Sequence, residues 1–249
     1  MKKNFLIGVM ILILGSSMIF AQTHKNAIFG AYVTYKSSTE ITVTAGSGRC
    51  NDTFWEISSS TDVNLSGVLP AEEDFLYIYI DDSASSYPTP TIIGSTTEPA
   101  WSDSNIGWYN GDDRCIGVVW CDTYGNIVWF QNNSNLETMT APKIARVLEG
   151  GNPDSTYQTL ECTAYIPVNA TAVRVFASNS EADNDAVIVR VHAYETLANR
   201  LSTIGRNSTA EVIGWISLGR GWSRDLKWYG YDNDDNSFDI DILGFRIDR

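Results

Sequence analysis

The sequence predicts an all-β protein with two β-sandwich, jelly-roll-like regions that follow a cleaved signal peptide. Three observations support this fold class. Short runs rich in Val, Ile, Thr, Tyr, Phe and Trp recur along the chain, as is typical of strands. Clusters of Gly, Asn, Asp, Ser and Pro separate these runs and predict turns. Beyond the leader, the apolar residues show no helical periodicity. Many short strands joined by turns are typical of sandwiches, jelly rolls and barrels.

The N-terminal residues 1–21 have the pattern of a secretory signal peptide. Lys2 and Lys3 precede an apolar run over residues 5–14, and the small residue Ala21 precedes polar Gln22. The apolar run is shorter than the ~20 residues that span a bilayer. We therefore expect cleavage after Ala21 and a protein that is secreted, extracellular or attached to the cell surface.

The candidate strands share β-branched and aromatic residues bounded by turn-forming clusters. In chain order they are residues 27–35, 40–45, 54–58, 75–80, 91–95, 114–121, 126–131, 159–168, 172–177, 186–194, 211–218, 226–231 and 238–247. Residues 122–126 lie between two apolar runs, and Gly125 can supply a positive φ there, so this segment predicts a hairpin turn.

A domain boundary is predicted between the two sandwich regions. The stretch 132–155 is poor in strand-forming residues and contains Pro142, Gly150, Gly151 and Pro153. Such composition is typical of linkers. The predicted domains are therefore residues 22–150 and residues 151–249.

The charge and histidine content exclude several classes of function. The chain has 17 Lys and Arg against 30 Asp and Glu. Loss of Lys2 and Lys3 with the leader leaves 15 basic residues and a net charge of −15, which opposes binding to nucleic acid or anionic membranes. Only two histidines are present and no Gly-x-Ser-x-Gly motif occurs, so the sequence gives no basis for a serine hydrolase and predicts a protein that is not an enzyme.

Four cysteines in an exported chain predict disulfide bonds, with buried free thiols as the alternative. Cys115 and Cys121 lie at the two ends of one predicted strand. About 20 Å separates such positions, against about 5.5 Å between the Cα atoms of a disulfide. These two cysteines should therefore not bond to each other, and both pairings with Cys50 and Cys162 stay open.

Several motifs occur in a familiar order along the chain. They are Phe75-Leu76-Tyr77-Ile78-Tyr79-Ile80-Asp81-Asp82, Ser95-Thr96-Thr97-Glu98-Pro99, Asp113-Arg114-Cys115-Ile116-Gly117-Val118, Gly125-Asn126-Ile127 with Phe130, and the run from Ala164 to Val175. Together they resemble an all-β region of phage tail-fibre and related virion attachment proteins. The resemblance covers residues 43–194.

The resemblance implies a non-enzymatic module that displays loops to a cell-surface receptor, often within an oligomeric fibre. It carries over no catalytic residue. The signal peptide and the four cysteines are more consistent with a secreted or cell-surface bacterial relative than with a virion component.

The segment 97–113 is a candidate binding loop because it is long for a hairpin connection. Trp101, Trp108 and Tyr109 lie there among polar residues, and Asp112 and Asp113 follow. Exposed rings stack on sugar faces while neighbouring carboxylates accept hydrogen bonds from hydroxyl groups. We therefore predict that these five residues bind a saccharide or receptor; the alternative is that the rings close the ends of the sandwich.

A second candidate site is the acidic segment 232–236. Asp232, Asp234 and Asn236 match the first part of a calcium-binding loop, because Ca²⁺ prefers hard oxygen ligands at alternate positions. The match then fails, since Ser237 and Leu243 stand where Gly and Glu belong. A solvated hairpin turn explains the same residues.

These observations predict a secreted, non-catalytic attachment or carbohydrate-binding module. Its partner would be a cell-surface glycan or a protein receptor, and it would not bind nucleic acid. The alternative is a structural subunit of an extracellular filament or surface layer, in which edge strands pair between copies in a homo-oligomer. A glycosidase is a remote third hypothesis, because paired carboxylates are all that such an enzyme requires.

Overall fold

The computed structural model describes residues 27–86, 88–132, 137–140, 144–151, 158–179, 186–191, 200–202, 210–218, 224–231 and 238–249. The regular structure within these ranges is β-strand, which confirms the all-β prediction. No helix there is long and apolar enough to cross a membrane. The strands are β1 (Phe29–Gly30), β2 (Val33–Tyr35), β3 (Glu40–Val43), β4 (Gly46–Cys50), β5 (Thr53–Ile57), β6 (Thr61–Asn64), β7 (Asp74–Ser86), β8 (Thr89–Ser95), β9 (Ala100–Ser102), β10 (Gly107–Asn110), β11 (Asp113–Cys121), β12 (Phe130–Asn132), β13 (Glu137–Thr140), β14 (Ala145–Gly151), β15 (Gln158–Leu160), β16 (Ala170–Asn179), β17 (Ala186–Val191), β18 (Arg200–Ser202), β19 (Ala210–Ser217), β20 (Leu226–Tyr231) and β21 (Phe238–Ile247).

A five-stranded antiparallel sheet, in the order β8-β7-β11-β10-β9, forms the middle layer of the molecule. In β7 every residue from Phe75 to Ile80 is buried, and in β11 every residue after Asp113 is buried. Alternate residues of a strand point to opposite faces, so burial of consecutive residues means that both faces of this sheet are covered. The apolar runs at residues 75–80 of β7 and 115–121 of β11 follow from that position.

The two faces of this central sheet belong to two hydrophobic cores. Tyr77 and Tyr79 of β7 lie in the first core, and Leu76 and Ile78 lie in the second. The first core also contains residues of the sheet β12-β13-β21-β16-β19, to which β14 is added, and of the sheet β15-β20-β17-β18. The second core contains residues of the sheets β1-β4-β5 and β2-β3-β6. The fold is thus built as sandwich layers on both sides of one shared sheet.

The predicted boundary at residues 150 and 151 falls within strand β14. This strand pairs with β21 through Ala145↔Ile242 and Gly151↔Phe238. Strand β13 also pairs with β21. The first core contains residues from both sides of the boundary, such as Trp120 and Phe245. Strand pairing therefore crosses the boundary, and the division into two domains stays a prediction.

The hairpin predicted over residues 122–126 is confirmed. Gly125 has a φ of 73°, and its N–H donates a hydrogen bond of 2.9 Å to the carbonyl of Asp122. Cys121 and Ile127 pair as an antiparallel bridge on either side of the turn. A Cβ at position 125 would lie 2.4 Å from the carbonyl oxygen of Pro70. Glycine is needed here both for the left-handed backbone and for this close approach.

The prediction of disulfide bonds is wrong, because all four cysteines are free and buried. Cys115 and Cys121 do lie in one strand, β11, as predicted. Cys115 and Cys162 are in the first core, whereas Cys50 and Cys121 are in the second. Burial raises the pKa of each thiol to about 12, so the thiols stay protonated at neutral pH.

Candidate functional site

The segment 97–113, predicted to be an exposed loop, forms the two strands β9 and β10 at the edge of the central sheet. Trp108 pairs with Trp101, and Tyr109 pairs with Ala100 across this hairpin. Trp108 is only 5% exposed and Tyr109 only 4% exposed. The expectation that these two rings are exposed is therefore wrong.

Trp108 and Tyr109 also lie on opposite faces of the sheet. Trp108 is in the first core and Tyr109 is in the second, because successive side chains of a strand alternate between faces. The two rings therefore cannot contact the same ligand from β10. Their burial agrees with the alternative interpretation, in which the rings have a structural role in the sandwich.

Trp101 is half-buried and packs against the first core. Its ring meets that of Trp108 edge to face, with centroids 5.7 Å apart. Its indole Nε1 donates a hydrogen bond of 2.7 Å to Oδ1 of Asp103. Trp101 is thus held between a buried ring and a turn carboxylate, with part of its surface accessible.

Three turns lie around strand β10 and are joined to one another and to β7 by hydrogen bonds of Asn51. They come from the connections β4–β5, β9–β10 and β10–β11. We call this surface the rim and define it as Asn51, Asp52, Asp82, Asn105, Ile106, Asp112 and Asp113.

The side chain of Asn51 joins the parts of the rim. Its Nδ2 donates to the carbonyl of Asp112 at 3.1 Å and to Oδ2 of Asp82 at 3.4 Å. Its Oδ1 accepts a hydrogen bond of 2.8 Å from Nδ2 of Asn105. The thiol of Cys50 also donates to the Asp112 carbonyl, at 3.1 Å. One amide therefore contacts both neighbouring turns and β7.

Two of the five predicted binding residues, Asp112 and Asp113, lie in the rim. Asp112 is exposed and Asp113 is half-buried. Oδ1 of Asp113 accepts a hydrogen bond of 3.0 Å from the N–H of Asp82. Partial burial, followed by the charges of Asp81, Asp82 and Asp112, raises the pKa of Asp113 above its ordinary value. The rim is thus a crowded acidic surface.

A fully buried cation, Arg114, lies beneath the rim. Its Nη1 donates to the carbonyls of Asn105 and Ile106 at 3.4 and 3.3 Å and to the hydroxyl of Tyr109 at 3.1 Å. Its guanidinium carbon lies 5.0 Å from the centroid of the Tyr109 ring. A Cβ at Gly107 would lie 1.8 Å from Nη1. The arginine therefore supports the β9–β10 turn from below, in space that glycine leaves free.

The backbone of the rim is unusually strained. Among the described residues, four that are not glycine have positive φ, and three of them lie in the rim: Asn51 at 46°, Asp52 at 67° and Ile106 at 48°. Asn51 and Asp52 form the two-residue loop between the paired residues Cys50 and Thr53, where positive φ is expected. No such turn preference explains Ile106, since β-branched residues rarely adopt this conformation.

The structure does not test the prediction of a calcium site at residues 232–236. Asp232, Asp234 and Asn236 lie outside the described ranges. Within the described ranges, no group of three or more His, Cys, Asp or Glu side chains is arranged to hold a metal ion. Calcium binding at the segment 232–236 stays a prediction.

The sequence matches no known protein family. It also has no significant match among curated proteins.

Proposed function

We propose that this chain is exported and acts as a non-catalytic attachment module that contacts a cell-surface glycan or protein receptor through the rim. The observation that carries the proposal is the set of hydrogen bonds by which Asn51 joins Asp82, Asn105 and Asp112 beside the central sheet. Binding surfaces are commonly loops placed by a rigid scaffold.

The rim suits recognition because its turns are fixed before a partner arrives. Ordering flexible loops during binding costs free energy, so a preorganised surface binds more tightly for the same contacts. The hydrogen bonds of Asn51 and the support from Arg114 limit movement of the turns. The exposed carboxylate of Asp112 remains for contact.

The resemblance to virion attachment proteins also supports this proposal. Two of its motifs lie on the paired central strands, residues 75–82 on β7 and residues 113–118 on β11. The motif on β11 begins with Asp113 and Arg114, which lie at the rim. In that class of protein, all-β scaffolds present loops to receptors. The signal peptide pattern at Lys2, Lys3 and Ala21 supports the same role outside the cell.

The proposal is tested by measuring adhesion of the purified chain to a panel of bacterial, yeast and mammalian cells and to a glycan array. We expect the wild-type chain to bind at least one cell type, and Asp112→Ala to weaken that binding several-fold. Glu72→Ala is the matched control, because Glu72 is an exposed carboxylate outside the rim. It precedes the start of β7, whereas the rim residue Asp82 lies toward the other end of that strand. Equal binding by both variants would remove the rim from the proposal, and no binding by the wild-type chain would overturn it.

A further inference from the structure

Ile106 is the most unusual residue of the rim. It is an aliphatic side chain in a left-handed backbone conformation, with a φ of 48°, and it is 57% exposed. Folding gains little from an apolar group that stays in water, and the backbone conformation is unfavourable for a β-branched residue. Neither property helps the stability of the chain.

The surrounding structure keeps Ile106 in this conformation. Arg114 donates to the carbonyl of Ile106 and to the carbonyl of the preceding Asn105. The side chain of Asn105 is bonded in turn to Asn51. Gly107, directly after Ile106, leaves the space that the guanidinium of Arg114 occupies. The turn is therefore fixed on both sides of Ile106 while its side chain points away from the cores. Backbone strain that the surroundings maintain is concentrated at functional sites.

The rim that contains Ile106 has an excess of acidic side chains. The carboxylates of Asp82, Asp112 and Asp113 belong to the same rim, and Asp103 lies in the same turn as Ile106. Arg49 borders this surface and donates to the carbonyl of Asp52. The excess of carboxylates favours a partner surface with basic side chains.

We infer that Ile106 is the apolar anchor by which the rim docks into a protein receptor, inserting into an apolar pocket bordered by Lys or Arg side chains. This inference rests on the proposed function and names the partner class. A protein fits better than a glycan because a branched aliphatic side chain has no flat face on which a sugar ring can stack. A central apolar anchor surrounded by polar contacts is the usual organisation of a protein interface.

The experiment uses the full secreted chain and a cell type that the wild-type chain binds. We expect Ile106→Asn to reduce binding at least tenfold without lowering the melting temperature, because Asn adopts positive φ more readily than Ile. Ile106→Leu should retain binding, since it keeps an aliphatic side chain without the β-branch. Ile213→Asn is the matched control: Ile213 is 53% exposed but lies on β19 in another sheet, and this variant should bind as the wild type does.

Treatment of the cells separates protein from glycan receptors. Trypsin digestion of the cell surface should abolish binding, whereas periodate oxidation of surface glycans should leave it intact. Raising the salt to about 0.5 M should weaken binding several-fold, because the carboxylates of Asp103 and Asp112 are exposed. If Ile106→Asn binds normally, or if periodate and not trypsin abolishes binding, the inference is wrong while the attachment function stands. If the wild-type chain binds no cell, both are overturned.

Discussion

The side chains of Trp108 and Tyr109 leave strand β10 on opposite faces of the central sheet, one into each hydrophobic core. Adjacent aromatic residues in a polar segment suggested a shared binding surface. Because β10 pairs with both β9 and β11, it lies within the sheet, and each of the two rings is buried in the core on its own side.

Trp108 should contribute strongly to stability. Replacing it by Ala removes a ring that is 5% exposed, and truncation of a buried aromatic costs about 3 to 5 kcal/mol. Tyr124→Ala is the control, because Tyr124 is 85% exposed and surface changes cost within about 0.5 kcal/mol. Urea unfolding of both variants measures the difference. Similar midpoints for the two variants would show that Trp108 does not belong to the core.

Gly107→Ala should destabilise the chain through Arg114. The added methyl group would lie 1.8 Å from Nη1 of Arg114, and forcing extra volume into a packed site costs about 1 to 3 kcal/mol. Gly67→Ala is the matched control, because nothing lies within 4 Å of its added Cβ. Thermal unfolding compares the two. A loss of stability confined to Gly67→Ala would contradict the placement of Arg114.

Asp113 should make stability depend on pH in a defined direction. Its pKa is raised in the folded state, first by burial, so its stabilising contribution is present when it is protonated and is lost as the pH rises through the folded pKa. Asp113→Asn, which keeps the acceptor for the N–H of Asp82, should therefore raise the melting temperature at pH 7. The difference should vanish well below the ordinary value of 3.8.

Asp62 provides a control of opposite sign. Hydrogen bonds from Lys36 and Thr42 lower the pKa of this carboxyl, so its contribution is present at neutral pH and is lost as the pH falls through the folded pKa. Asp62→Asn should lower the melting temperature at pH 7, and acid should remove the difference. Shifts of the same sign in both variants would refute this assignment of the two carboxyls.

The four thiols should be unreactive in the native protein. Each is buried, with its pKa raised to about 12 by burial, so neither access nor thiolate is available to a thiol reagent. We expect no reaction with Ellman's reagent under native conditions and full reaction of all four cysteines after denaturation. Fewer than four reactive thiols in the denatured, unreduced protein would mean that disulfides form.

The sequence predicts some strands to the residue and others poorly: the predicted strand 159–168 is a strand only up to Leu160. The ranges predicted for β20 and β21 agree with the structure at both ends. The predicted strand at 27–35 is divided into β1 and β2, because Gly30 and Ala31 have positive φ. Strands β4 and β6 were missed, since one is rich in glycine and the other is polar and largely exposed. Apolar composition mainly reports burial, so a strand rich in glycine or an exposed polar strand carries little of that signal.

The candidate site was predicted less completely, for a reason that Arg114 illustrates. A charged residue at the start of an apolar strand normally faces solvent, and nothing in its neighbours indicates burial. Its role depends on carbonyls of Asn105 and Ile106, which only the turn geometry brings to its guanidinium. Asp112 and Asp113 were identified because carboxylates near a turn are recognisable from sequence alone. A backbone conformation such as that of Ile106 is not recognisable in this way.

The shared central sheet limits how this protein can be recombined in evolution. In many proteins built from β-sandwiches, each domain closes its own core and can be exchanged between genes as a unit. Here β7 and β11 supply one wall of both cores, so a gene fragment encoding only the layers on one side would leave a wide apolar surface open to aggregation. Variation should therefore accumulate in the rim turns, while the layers are inherited together.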